Sequence, residues 1–177
     1  MDDIVEEKTA DDAFKLSESP AHLLRRAQQL ATEVFADLGM SDGVTLRQSV
    51  VLAAVSENEG LSQSKLVSET GIDRSTLADM IARMETRGLV ERTVAEDDAR
   101  AKSVRLTAEG RARLEEALPA MRSVDDALLN ALPKNRRKSF MDVLSILTGD
   151  EVDEDGKLKK SKKGKDGKKK KKKKKKH

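Results

Sequence analysis

The sequence predicts a mainly α fold, six helices carrying one small antiparallel β-ribbon. Three observations predict it. Apolar residues recur at three- and four-residue spacing through most of residues 19–148, as helices with one buried face require. Residues that start and stop helices punctuate that pattern, with Ser19-Pro20, Thr45, Ser62, Asp73 and Thr107 at starts and Gly60, Gly71, Gly88 and Gly149 at ends. In one place only, between residues 89 and 106, two strand-like runs flank a polar, charged tip.

The first eighteen residues hold seven acids against two lysines and few apolar side chains, which predicts a flexible acidic arm. The alternative is an arm that folds on dimerisation through Ile4, Val5, Phe14 and Leu16. Ser19 as N-cap and Pro20 at the first helical position open a helix over 19–38. Its stripe is Leu23, Ala27, Leu30, Ala31, Val34 and Leu38, widened by Leu24 and Phe35. Gly39, Ser41, Asp42 and Gly43 form a loop, and Thr45 with Gln48 makes a capping box for a second helix to about Glu57. Leu46, Val50, Val51, Ala54 and Val55 are its apolar positions.

Gly60 closes that helix, Ser62 caps a short third one over 63–70, and Gly71 ends it. Asp73 caps the fourth, whose Leu77, Met80, Ile81 and Met84 must face inward, leaving Arg74, Ser75, Thr76, Ala78, Asp79, Ala82 and Arg83 outward. Gly88 stops it, and strands at 89–93 and 101–106 bracket the tip at 94–100. Thr107 then caps a long fifth helix. There Leu114, Leu118, Met121, Val124, Leu128 and Leu132 recur at near-heptad spacing, as an oligomer seam would. Pro119 inside it removes an amide donor and should kink or split the helix. Pro133 begins a sixth helix to about Leu147 with Phe140, Val143, Leu144 and Leu147 as its apolar face.

Composition excludes several function classes. The chain has 177 residues, 37% hydrophobic and 38% charged, with no cysteine, so it has no disulfide frame, no iron–sulfur site and no thiol switch. No apolar run approaches the ~18 residues that span a bilayer, and no signal peptide opens the chain; a soluble cytoplasmic, nucleoid-associated protein with no membrane partner is the expectation. His22 and His177 are the only histidines, too few for a clustered metal site. There is no G-x-G-x-x-G, phosphate-binding loop, H-E-x-x-H or cysteine nucleophile, so neither an enzyme nor a cofactor is expected. Met80, Met84 and Met121 read as core packing.

The net charge of +3 hides a segregation. Residues 157–177 hold fifteen lysines against one acid, Asp166, a net +14, which leaves −11 on residues 1–156. Residues 1–18 and 150–156 account for −5 each, so residues 19–149 stand at −1. The expected organisation is therefore an acidic arm at 1–18, a folded domain at 19–149, and a disordered tail at 150–177 that is first acidic and then lysine-rich. That tail reads as either a phosphate-backbone tether or a solubilising extension.

Two short helices joined by a tight turn, then a hairpin with a cation at its tip, have a mechanical reason to read DNA. The second helix fits the major groove with its N-terminal residues at base edges, and the hairpin tip reaches the neighbouring minor groove. Three motifs follow in order: Gly88-Leu89-Val90-Glu91-Arg92, Asp98-Ala99-Arg100, and Val104-Arg105-Leu106-Thr107-Ala108-Glu109-Gly110. With them, residues 19–148 resemble the multiple antibiotic resistance regulator (MarR) family, whose domain is a winged helix-turn-helix with a flanking helical dimerisation region.

The resemblance implies a DNA-reading part at 45–107 and dimerisation helices at 19–38 and 108–148, intertwined across a two-fold axis. It implies a homodimer on a palindromic double-stranded operator, acting as a repressor released by a small organic anion, phenolic or aromatic. The DNA contacts implied or read from the pattern are Ser62, Lys65, Arg74, Ser75, Thr76, Asp79, Arg83, Arg100 and Lys102. By resemblance Arg100 enters the minor groove while Asp98 shapes the tip; the alternative is a surface cation paired with Asp98. Arg92 and Arg105 on the strands are lesser phosphate candidates. Ala78 and Asp79 stand where many members carry a hydroxyl and then a basic residue, so base preference does not carry over. A family-like pocket would lie between the first, second and fifth helices, where His22, Arg25 or Arg26 could meet an anionic ligand; the alternative puts these three on a solvated helix face. Two other functions remain open: an architectural protein that coats DNA through its lysine tail with little sequence preference, and a protein-interaction module that uses the fold without DNA.

Overall fold

The fold is given by a computed structural model that describes residues 14–39, 43–95 and 98–149, with backbone alone at 94, 95 and 98–102. The expectations for residues 1–13 and for the tail at 150–177 lie outside the described residues. Six helices and three strands follow in the order α1 (Pro20–Asp37), α2 (Leu46–Glu57), β1 (Leu61–Ser62), α3 (Gln63–Thr70), α4 (Arg74–Thr86), β2 (Val90–Ala95), β3 (Asp98–Leu106), α5 (Ala108–Asn130) and α6 (Lys134–Leu147), with one 3-10 turn at Leu16–Glu18 ahead of them. No helix among the described residues is long and apolar enough to cross a membrane.

The caps act locally, as their spacing predicts. Ser19 accepts from the His22 amide, with Pro20 at the first position. Thr45 and Gln48 exchange both capping-box bonds, at 3.2 and 3.1 Å. Thr107 accepts from the Gly110 amide at 3.0 Å, and its hydroxyl also donates to the Gly88 carbonyl. One threonine thereby starts α5 and fastens it to the end of α4.

The β element is larger than a two-stranded ribbon. It is a three-stranded antiparallel sheet in the order β1-β3-β2, with Leu61 opposite Val104 and Ser62 opposite Ser103. A two-residue strand has no period to betray it. Gly60, at φ 81°, turns the chain so that its amide reaches the Val104 carbonyl at 3.3 Å. The wing strands also run longer than predicted, to Ala95 and from Asp98, with an irregularity between Val94 and Ala95. Near the root, the buried Ser103 hydroxyl lies 2.7 Å from that of Thr93, its cross-strand partner, which satisfies a polar group that would be costly alone.

The described residues fall into two compact units that divide after Leu128. The first has a continuous core. Phe35 and Ala31 of α1, Val51, Leu52 and Val55 of α2, Leu66 of α3, and Leu77, Ile81 and Met84 of α4 meet Val90, Val104 and Leu106 of the sheet and Leu89 just before it. Each fully buried aliphatic side chain stabilises by roughly 1.5–3 kcal/mol before entropy is counted. Leu114, Ala117, Ala120 and Val124 of α5 close the core, with Leu118, Met121 and Leu128 partly buried against it. The near-heptad row therefore packs largely within its own chain, because two small alanines between its members let the helix sit close. Pro119 does not split α5. Pro119 and Glu115, whose carbonyl loses its donor, are both exposed, so water can replace the missing bond.

In α1 the stripe is only partly covered. Ala31 and Phe35 are buried, whereas Leu23, Leu24, Leu30 and Leu38 remain 44–48% exposed. In the second unit, α6 starts after Pro133 and buries none of its residues. Met141, Val143, Ile146 and Leu147 are exposed there, and Arg137 donates to the Leu132 carbonyl ahead of the helix.

Candidate nucleic-acid interface

α3 and α4 are joined by Gly71, Ile72 and Asp73. Gly71 takes the left-handed conformation, at φ 65°, and donates to the Val67 carbonyl, which reverses the chain within three residues. Ile72 drops into the core behind the turn. Asp73 then accepts from the Thr76 amide at 2.9 Å and from the Ser75 hydroxyl at 2.7 Å. The Thr76 amide first, then the side chains of Thr76 and Ser75, hold the Asp73 carboxyl well below its ordinary range, at about 2. The cap is thus ionised throughout the neutral range and sits at the positive end of α4.

On α4, Leu77, Ile81 and Met84 are fully buried and Met80 is half-buried. That fixes the opposite face. Arg74, Ser75, Asp79, Ala82 and Arg83 are exposed, and Thr76 and Ala78 are partly so. Arg74 reaches back to donate to the Ser64 hydroxyl of α3 at 3.3 Å, so its guanidinium is steadied across the turn with donors to spare. Arg83 Nε donates to the Asp79 carbonyl at 3.3 Å. On α3, Ser62 accepts from the Lys65 amide at 3.3 Å as N-cap, and the Lys65 side chain is exposed. The structure thus places Lys65, Arg74, Ser75, Thr76, Asp79 and Arg83 on two adjoining helices, with Ser62 as the cap ahead of the first.

Arg100 and Lys102 lie on β3 by their backbone; their side chains are outside the described residues. The other two strand arginines are better described. Arg92 is half-buried with Nε 3.5 Å from Glu85 Oε2, an ion pair between β2 and α4. Arg105 is likewise partly buried. Both side chains are therefore partly withdrawn from a phosphate.

Two longer ties hold this reading unit to its flanks. Arg87, at the end of α4, donates to the Gly43 carbonyl at 2.8 Å. Arg111 of α5 pairs with Glu59, in the turn before β1. Neither is foreseeable from spacing, since the partners are 44 and 52 residues apart.

A cleft of about 830 Å³ opens beside the reading unit. Gln28, Gln29 and Thr32 of α1 form one wall; Thr45, Leu46, Arg47, Gln48 and Val50 at the start of α2 form a second. The turn Thr70-Gly71-Ile72-Asp73, with Met80 and Arg83 of α4, completes it. His22, Arg25 and Arg26 do not line it, nor does any residue of α5. Sequence reasoning missed Arg47 and the three glutamines because a polar helix face reads as solvated until a second element stands opposite. Among the described residues no three His, Cys, Asp or Glu side chains cluster as a metal site would need.

Comparison with known proteins agrees with this geometry. The model of the MarR family matches residues 42–101. The transcriptional regulator HosA of Escherichia coli O127:H6 is 38% identical over 101 residues, covering 57% of this chain and 75% of HosA. Among solved structures, Bordetella bronchiseptica BpsR, whose DNA binding is regulated by 6-hydroxynicotinic acid, is 29% identical with a TM-score of 0.70, covering 78% of this chain and 99% of that one. The transcriptional repressor CouR, bound to a 23-mer DNA duplex, is 29% identical with a TM-score of 0.64, covering 76% and 98%.

Proposed function

The chain belongs to the MarR family, and from that premise we propose that it is a homodimeric transcriptional repressor that binds a palindromic operator and is released by a small organic anion. The observation that carries the DNA-reading part is the outward face of α4. With Leu77, Ile81 and Met84 locked in the core, Arg74, Ser75, Thr76 and Asp79 stand at the helix N-terminus, the end that enters the major groove. Arginine there suits guanine and the Asp79 carboxylate suits the cytosine amino group. The hairpin of β2 and β3 supplies the wing, with Arg100 as its minor-groove cation. That CouR is a repressor bound to a DNA duplex supports a DNA-binding role for the fold.

The dimer reading rests on uncovered apolar surface. α1 leaves Leu23, Leu24 and Leu30 nearly half exposed, as is Leu38 at its C-cap, and α6 leaves Met141, Val143, Ile146 and Leu147 exposed. A second copy that covers such faces also sets two α4 helices one duplex turn apart, the spacing a palindrome needs.

The ligand reading rests on the cleft. Its volume falls in the range of roughly 300–1,000 Å³ that suits small molecules. Arg47 and Arg83 supply cations, the glutamines supply amides, and Leu46, Val50, Ile72 and Met80 supply apolar wall. That combination fits an aromatic acid, and the regulation of BpsR by 6-hydroxynicotinic acid points the same way. An anion held there would pin α4 against α1 and α2 and compete for Arg83. The coupling expected of such a device is roughly 1–3 kcal/mol. Footprinting of the full chain on bound genomic fragments, with and without a panel of aromatic acids, tests the proposal. A two-fold symmetric protected site that one acid abolishes is expected, with the acid's effect lost in Arg47→Ala. Diffuse protection without symmetry would contradict it.

A further inference from the structure

We infer that the lysine run at 157–176 is a second DNA contact, an electrostatic tether for the phosphate backbone of duplex DNA; this rests on the DNA-binding reading above. The folded domain is short of the charge that brings a protein to DNA from a distance. Residues 19–149 carry a net −1. The exposed cations of α3 and α4, Lys65, Arg74 and Arg83, share their faces with Glu69, Asp73 and Asp79. Such a surface can read bases once docked, yet it offers little long-range attraction. The run from Lys157 supplies what the domain lacks, fifteen lysines against one acid.

Its chemistry selects the partner. Lysine presents a hydrated point charge without the planar fork that reads guanine, so its contacts go to phosphates and carry little sequence information. The run has no aromatic residue on which the bases of a single strand could stack. Its one large apolar residue is Leu158, too little to anchor a basic segment in a bilayer. Among polyanions, duplex DNA is the one that the outward face of α4 already addresses in the reading above. Twenty residues can reach about 65–70 Å at full extension, roughly two turns of duplex at 3.4 Å per base pair. The tether can therefore hold the domain near DNA while α4 samples register.

The test is a full-length variant in which the nine lysines from Lys168→Gln through Lys176→Gln are replaced, so that length is unchanged. Parent and variant are titrated across a salt series onto an operator duplex, a scrambled duplex and a hairpin RNA, with thermal melting as a control on the fold. Each phosphate neutralised contributes roughly −0.9 to the slope of log K against log salt. If about five of the nine lysines engage, the variant's slope flattens by about 4–5 units on both duplexes. Both affinities then fall by a similar factor, and the preference for operator over scrambled DNA is kept. Equal slopes for the two proteins would overturn the tether. So would tighter DNA binding by the variant at low salt, which would place the run on the acidic stretches at 2–12 or 150–155, and so would a parent preference for the RNA that the variant loses. A parent that fails to distinguish operator from scrambled duplex contradicts the regulator reading instead, and the slopes on scrambled DNA still decide the tether.

Discussion

Asp73 serves both structure and recognition at one place. Its carboxylate collects the Thr76 amide and the Ser75 hydroxyl, and so orders the two side chains that would meet DNA. Those bonds are stronger to the ionised form than to the neutral one, which is why the group's pKa is lowered to about 2 from its ordinary 3.8. The sign follows directly. A lowered folded pKa gives a contribution that is complete above about pH 4 and is lost as pH falls through about 2. Asp73→Asn keeps a cap but cannot titrate. Melting curves for parent and variant should run parallel from pH 7 to about 4, and the parent should then lose ground as pH approaches 2. A constant difference across that whole interval would count against the cap. Arg74→Ala and Arg100→Ala should each weaken operator binding by roughly 1–3 kcal/mol with melting temperature unchanged. Duplex titration measures this, and undiminished affinity in either variant would remove that residue from the interface.

Between elements, the start of α5 lies tight against the backbone that leads into β2. A Cβ on Gly110 would collide with the Leu89 carbonyl oxygen, with nothing but backbone to move. Gly110→Ala must therefore push the start of α5 off the sheet or displace Leu89, at a cost of roughly 1–3 kcal/mol or more. Urea unfolding should show a lowered midpoint, whereas an unshifted midpoint would mean that α5 is docked differently. Legibility at this scale divides by distance along the chain. The caps at Thr45, Ser62, Asp73 and Thr107 were readable because donor and acceptor are three residues apart. The pairing of β1 with β3, the tie from Arg87 to Gly43 and the cleft around Arg47 were not, because each joins segments that only the finished core brings together. Of the two outcomes expected at Pro119, a kink or a split, the split does not occur. The proline's cost depends on whether the abandoned carbonyl meets water, and that is a property of the packed helix rather than of the proline.

At the scale of the whole molecule, the charge pattern and the apolar surplus were legible early, since both survive in composition and periodicity. What periodicity could not tell was which apolar rows a single chain covers for itself. Leu114 and Val124 turned out to be core, and Leu24 and Leu30 did not. Leu24→Glu is the cleaner probe of assembly for that reason, because its side chain is 47% exposed in one copy. A parent dimer and a folded, monomeric variant are expected in sedimentation equilibrium, since burying a carboxylate between copies is costly. A monomeric parent would rule the dimer out.

Specific reading of DNA by α4 and the wing is the claim on which the rest depends, and selection of bound duplexes from a random pool tests it most directly. Two copies with α4 helices in successive major grooves should return a palindromic consensus, its half-sites about 10 base pairs apart or a multiple of that. The same selection with Arg74→Ala should lose information at matching positions in both half-sites. A pool that stays unenriched, or that yields a consensus without two-fold symmetry, would contradict the account.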